Sequence, residues 1–323
     1  MAKGNQDSAE QFRRAAAGDV GAVEALLSAV EAESGPDSEL MREIVAHGGN
    51  AHRIAVLGVK GSGKSTLIVE LARHARSGGA RVGVVAGERA PSTAEGVRLG
   101  DRPRLDDLEF DEGIVVRSIA KNDGPRAQAI TTSFIADALD ALGFDPVLLE
   151  ILGVQGPDIR QLRRGHSVVL VLTPQGPDPS LLSESGLLAL CDVIVINKAD
   201  QEGSDELADR LREYLPVQRL SCGDWDVPIL KTTAYRSEGI AELHDALGRH
   251  VALLRAGGEF DARRRSQLSM QLEQLVEDAL LARLHGDATV AELVRDAAKE
   301  VASHQLDLSS AADRITRRLL DAG

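Results

Sequence analysis

Gly58-Val59-Lys60-Gly61-Ser62-Gly63-Lys64-Ser65 decides the fold. The run has the form GxxxxGK followed by Ser. The apolar stretch Arg53–Leu57 precedes it, and a helical period over residues 64–77 follows, so it predicts a loop joining a buried strand to a helix. Each residue type there has a physical task. Gly58, Gly61 and Gly63 let the backbone turn tightly around a phosphate, with Ser62 between them. The helix N-terminus adds its dipole, Lys64 neutralises the β- and γ-phosphates, and the Ser65 hydroxyl takes one Mg²⁺ position, with Thr66 beside it. Lys60 stands one position too late for the second lysine of a MinD-type loop, which disfavours that subfamily.

Working outward, short apolar runs recur at Arg81–Ala86, 114–116, 146–151, 168–172, 193–196 and 229–231. Helical periods fill 125–142, 204–214 and 238–252 between them. Strands apolar at nearly every position, each followed by a helix, predict a doubly wound, mostly parallel α/β sheet with ligands at the carboxyl ends of its strands. Before this domain, residues 1–9 are polar and expected to fray. Residues 9–46 are expected to form two short helices broken at Gly35-Pro36, the second capped by Asp37 or Ser38. After Arg255 the strands stop, and three amphipathic helices are expected, the last capped by Ser309 or Ser310. The expected organisation is a helical lead-in over 1–50, a P-loop domain over 51–254 and a helical arm over 255–323.

The formal charge of −13 disfavours a nucleic-acid partner. Two cysteines, Cys191 and Cys222, form no CxxC pair. With no apolar leader and no apolar run of membrane-spanning length, the sequence predicts a cytoplasmic protein that engages no membrane. Aromatics are only 2%, so the core must be aliphatic.

Asn197-Lys198-Ala199-Asp200 ends the strand over 193–196. The Asp200 carboxylate can accept from both N1–H and N2–H₂ of guanine, whereas adenine would set an acceptor against it. The Asn197 amide can bond the base edge or brace the loop, and the Lys198 stem can cover the ring. Thr233-Ala234, after the last strand, suits a backbone-donor loop near guanine O6. Glu150, followed by Gly153, ends a buried strand where the Mg²⁺ shell and the γ-phosphate are sensed. Glu88 and Asp101 could reach the metal, the attacking water, or solvent. The remaining features read as structural: five histidines including His166 and His250 as surface or helix residues, Arg263-Arg264-Arg265 as a solvated helix start, and Trp225 as packing.

With these residues in place, the chain resembles the methylmalonyl-CoA mutase-associated GTPases of the MeaB/ArgK type over nearly its whole length. Ala15-Ala-Ala-Gly-Asp19 is similar to the family's lead-in, and Pro91–Arg102 to a segment ending in Leu-Gly-Asp-Lys/Arg, which puts Asp101 on a metal-associated aspartate. Gly143–Val154 is similar to the stretch carrying the family's Glu and Gly, here Glu150 and Gly153. The resemblance implies GTP/GDP and Mg²⁺ as ligands, and catalysis through Lys64, Asp101, Glu150 and Gly153. It also implies a homodimer through the C-terminal helices. As function it implies a chaperone that gates adenosylcobalamin delivery to an acyl-CoA mutase and removal of damaged cofactor. Three departures fall at switch positions: Glu88-Arg-Ala-Pro-Ser92, the displaced Gln155 before Gly156, and Glu184-Ser185 beyond Asp178 where lysines are usual. They make slow intrinsic hydrolysis the expectation. A metallochaperone GTPase would need a CxxC or His-rich tract, and a P-loop phosphotransferase would need no guanine-reading loop; the sequence disfavours both.

Overall fold

The computed structural model describes residues 2–32, 39–87, 108, 111–119, 124–151, 162–215, 225–286 and 288–321. Contacts divide the chain into two compact units, Met1–Gln267 and Leu268–Gly323.

Among the described residues, the first unit is built on seven parallel strands: β1 Arg53–Gly58, β2 Val82–Gly87, β3 Ile114–Ile119, β4 Val147–Glu150, β5 Ser167–Leu172, β6 Val193–Asn197 and β7 Ile229–Thr232. Their order across the sheet is β3-β2-β4-β1-β5-β6-β7. The sequence-based runs anticipate all seven. Alternation decides which face each side chain covers. Ala55 and Leu57 of β1, with Val168, Leu170, Ile194 and Ile196, join one core. Ile54 and Val56, with Val169, Val171, Val193 and Val195, join the other.

The second core is closed by α4 (Lys64–Ser77) and α9 (Ile240–Ala256). Over the first lie α1 (Ala2–Ala16), α2 (Val20–Ala32), α3 (Glu39–His47), α5 (Gly124–Ala141), α6 (Pro179–Glu184), α7 (Leu187–Leu190) and α8 (Ser204–Tyr214). Among the described residues, three lead-in helices therefore stand where two are expected from sequence, and the polar start is helical from Ala2. The extra break is local: Gly18 turns at φ +94°, and Asp19 Oδ1 then accepts from Ala22 N at 3.0 Å, capping α2. Phe12 and Ala15 bury one face of α1, which fixes a helix that its polar composition does not announce.

Two further readings are corrected at the amino ends of the strands. Arg263, near the start of α10 (Glu259–Gly286), is buried rather than solvated. It forks onto Asp192 with Nη1–Oδ2 and Nη2–Oδ1 distances of 2.8 and 2.9 Å. Arg264 pairs with Asp137; only Arg265 faces water. His166 and His250 are buried too. The Ser167 hydroxyl lies 2.6 Å from His52 Nε2 and 2.7 Å from His250 Nδ1, and His166 stacks on Phe260 at 3.8 Å. Trp225 packs beside His250 and donates to the Asp192 carbonyl at 2.8 Å, in keeping with a packing role.

In the second unit, α11 (Ala288–Ala302) and α12 (Leu308–Asp321) pack on each other, burying Val290, Ala297 and Ala311. Asp307, not Ser309 or Ser310, caps α12, its Oδ1 accepting from Ser310 N at 2.9 Å. Leu268, Leu272, Val276 and Leu280 recur every four residues along α10 and stay exposed within this unit. Among the described residues, no helix is long and apolar enough to cross a membrane.

Candidate functional site

The site forms at the carboxyl ends of β1, β4, β6 and β7, beside the point where strand order reverses around β1. The loop after β1 runs through three left-handed glycines and opens α4 at Lys64. Gly63 caps that helix at φ +90° with no side-chain bond, so the first-turn N–H groups are left for a ligand. A Cβ at Gly58 would meet the Val171 carbonyl at 2.4 Å, and one at Gly63 would meet Asn197 Nδ2 at 2.2 Å. Gly61, at φ +84°, faces open space instead. Among the described residues, the buried Ser62 hydroxyl has no partner, an unused polar group inside the loop.

Lys64 folds its ammonium over this loop, donating to Gly58 O at 2.8 Å and Val59 O at 3.1 Å. Burial pulls its pKa below the ordinary lysine value, and the Glu150 carboxylate acts in the opposite sense. Ser65 Oγ donates to Glu150 Oε1 at 2.6 Å, so hydroxyl and strand-end carboxylate meet as their sequence positions suggest. Thr66 follows in the first turn of α4, half-buried. Glu88, Asp101 and Gly153 lie outside the described residues, as do Gln155 and Gly156.

The second loop is bonded to the first. Asn197 is buried, and its Nδ2 donates to Ser62 O at 2.8 Å. Its Oδ1 accepts from Thr232 Oγ1 and from Ala234 N, each at 3.1 Å. Of the two roles open to this amide from sequence, the geometry is that of a brace. Lys198 takes a left-handed backbone, φ +59°, and its Nζ donates to Gly61 O at 2.8 Å. Thr233 is fixed by its N–H to Glu238 O at 3.1 Å. Asp200 is exposed at the tip, where its Oδ2 accepts from the Tyr235 hydroxyl at 3.1 Å. One loop thus presents left-handed glycines and an ammonium and the other an exposed carboxylate, held together by side-chain to backbone bonds.

The profile of the family "Methylmalonyl Co-A mutase-associated GTPase MeaB" matches residues 19–289. The chain belongs to the MeaB family. It is a GTPase, and its P-loop sits in the architecture that this family uses to bind GTP and GDP. A Mycobacterium tuberculosis protein described as a "probable GTPase" is 32% identical over 284 residues, covering 86% of this chain and 83% of that one. The mouse "methylmalonic aciduria type A homolog, mitochondrial" is 25% identical over 268 residues, covering 82% of this chain and 65% of its own. Among solved structures, a "LAO/AO transport system kinase" superposes with a TM-score of 0.73 at 21% identity, covering 97% of both chains, and shares the fold.

Several site features of this MeaB-family GTPase carry no sequence signature. Tyr235 is one of two tyrosines in the chain, and an aromatic in that loop is the sole hint of its bond to Asp200. Glu70 of α4, whose Oε2 accepts from Ser237 Oγ at 2.5 Å, reads in sequence as one more helix carboxylate.

Proposed function

We propose that this GTPase is a chaperone of an adenosylcobalamin-dependent acyl-CoA mutase, acting in the cytoplasm as a homodimer through its C-terminal helices. It gates delivery of the cofactor and removal of the damaged form. Lys64 neutralises the β- and γ-phosphates, Asp200 reads guanine, and Asn197 and Lys198 hold the two loops in register. Ser65 and Glu150 hold Mg²⁺, with Glu88 and Asp101 as further candidate ligands and Gly153 as the γ-phosphate sensor. Adjacent hydroxyl and carboxylate oxygens suit that hard cation, which supplies charge neutralisation on the phosphates.

The observation that carries this reading is the Asn197 brace. A base loop bonded to the phosphate loop makes nucleotide occupancy a state of the whole site, and a partner can respond to such a state. The mutase is supported by the name of the family and by that of the mouse relative. The stripe of Leu268, Leu272, Val276 and Leu280 supports self-association, because an apolar row of that length gains by burial in a second copy. Hydrolysis by the isolated protein is slow, well below a typical turnover of about 10 per second, until the partner completes the site.

The deciding experiment inactivates a candidate acyl-CoA mutase by turnover, then adds this protein, GTP and fresh adenosylcobalamin. Recovery that needs GTP and vanishes with Lys64→Ala supports the proposal. If no corrinoid mutase of the same organism binds in the GTP or GDP state, the chaperone role is wrong and the GTPase assignment stands.

A further inference from the structure

The base-reading carboxylate has a partner outside its own four-residue motif. Among the described residues, the Tyr235 hydroxyl donates to Asp200 Oδ2 at 3.1 Å. We propose that Tyr235 is a positioning and base-specificity residue, its hydroxyl holding Asp200 in the orientation that receives guanine. The inference rests on the reading of Asp200 as the guanine acceptor and deepens it.

The turn that carries Tyr235 is pinned from several sides. It is a single 3-10 turn, Ala234–Arg236, directly after β7. Ala234 N donates to Asn197 Oδ1, Thr233 N to Glu238 O, and Arg236 N to Thr233 O at 2.8 Å. Ser237 closes the turn in a left-handed conformation, φ +58°. Such a backbone costs a non-glycine residue roughly 1 kcal/mol or more and persists only where neighbours impose it. Here the imposing neighbour is Glu70, which accepts from Ser237 Oγ and is itself held by Arg73 at 2.9 Å. Glu70 lies on the helix that opens at Lys64, so the helix that begins at the phosphate loop also fixes the turn bearing Tyr235. The Arg236 guanidinium, 5.0 Å from the centre of the Tyr235 ring, limits the ring further.

A rigid phenol matters because Asp200 is exposed and would otherwise rotate freely. An ionised carboxylate offers about four lone-pair sites. Tyr235 uses one on Oδ2, and guanine N1–H and N2–H₂ need two more. Fixing the carboxylate before the base arrives removes an entropy cost from binding. The benefit is larger for a ligand with two donors to align than for one with a single donor. Inosine lacks the 2-amino group and presents N1–H alone, so it gains less. Desolvation and the bond to Asp200 both push the phenol's pKa up, which keeps it a donor at neutral pH.

The test is Tyr235→Phe in the full-length protein, which keeps the ring and deletes the hydroxyl. GDP and IDP are titrated by calorimetry, with thermal melting as a fold control. The expected result is roughly three- to tenfold weaker GDP binding and less than about twofold weaker IDP binding, at an unchanged melting temperature. A GDP-to-IDP ratio equal to wild type overturns the inference. So does tighter GDP binding, which would make the hydroxyl a competitor of the base. Asp200→Asn in the same assay separates the two readings. If that variant fails to move preference toward xanthosine diphosphate, guanine reading by Asp200 falls, and this inference with it. If it does move while Tyr235→Phe keeps the wild-type ratio, only the role of Tyr235 falls.

Discussion

Asn197→Ala tests the brace between the two loops. The amide makes three bonds: to Ser62 O at 2.8 Å, from Thr232 Oγ1 at 3.1 Å and from Ala234 N at 3.1 Å. Thr232 and Ala234 are each 1% exposed, so their freed groups cannot reach bulk water. A buried orphan costs about 1–3 kcal/mol. The Thr232 hydroxyl can rotate toward another acceptor, and a water can enter the vacated space, which leaves roughly 2–4 kcal/mol as the net loss. For a fold whose total stability is about 5–15 kcal/mol, that is a large share. The urea midpoint should fall by roughly 1 M, and GDP affinity should fall at least about a hundredfold, because the base loop loses its register with the phosphate loop. Thr232→Val removes one of the three bonds and should cost only about 1 kcal/mol. Asn197→Asp keeps an acceptor but sets a carboxylate oxygen where Nδ2 meets Ser62 O, so it should be no better than Ala. An Asn197→Ala protein with the wild-type midpoint and GDP affinity within twofold of wild type would refute the reasoning.

Two further outcomes concern acid and the arm. Burial, reinforced by His250 and Arg255, lowers His52 to about 3, and burial with Arg53 lowers His166 to about 2. Both rings stay neutral in the fold and take protons near pH 6.5 once unfolded, so their stabilising contribution is full above that pH and is lost as pH falls. The loss should reach about 4 kcal/mol between pH 7.5 and 5, measured as the urea midpoint against pH, and a flat profile would contradict the assignment. A chain ended after Gln267 keeps Phe260 and Arg263 and should bind GTP as a monomer by light scattering. One ended at Leu254 would strand buried Asp192 without Arg263 and should fold poorly, while a monomeric full-length protein would remove the case for the arm.

Much of the fold was legible because its signals are local. Strand runs such as 168–172 are apolar at every position, and the α4 span of 64–77 follows from one glycine-rich loop and one period. What could not be read depends on partners distant in sequence. Arg263 looks like a solvated basic run until Asp192, 71 residues away, is brought to it. His166 becomes a core residue because β5 begins beside it and Phe260 covers its ring. At the site, Ser65 meets Glu150 and Asn197 meets the Ser62 carbonyl, whereas the sequence leaves Asn197 open between base and brace because both use the same amide. The Tyr235 and Glu70 contacts arise from turn geometry, which no residue spacing encodes.

The bonds at the loop also explain why it favours an anion before any anion is bound. Lys64 ties down the carbonyls of Gly58 and Val59, Lys198 that of Gly61, and Asn197 that of Ser62. In a trans peptide the following N–H points opposite to the carbonyl. Carbonyls drawn back toward three donors therefore turn the N–H groups of Val59, Lys60 and Gly63 the other way, while that of Ser62 closes the loop on Val59 O at 3.2 Å. The arrangement is a preset cluster of donors of the kind that receives phosphate. Lys198 accepts a strained left-handed backbone to take part, at a cost of about 1 kcal/mol or more, which its bond to Gly61 helps to offset. The Lys64 ammonium, partly desolvated and bonded among the described residues only to neutral carbonyls, gains most when a phosphate oxygen replaces them. A phosphate at this loop would trade two neutral acceptors for a charged one, and the Asn197 and Lys198 bonds would carry that change to the neighbouring loop.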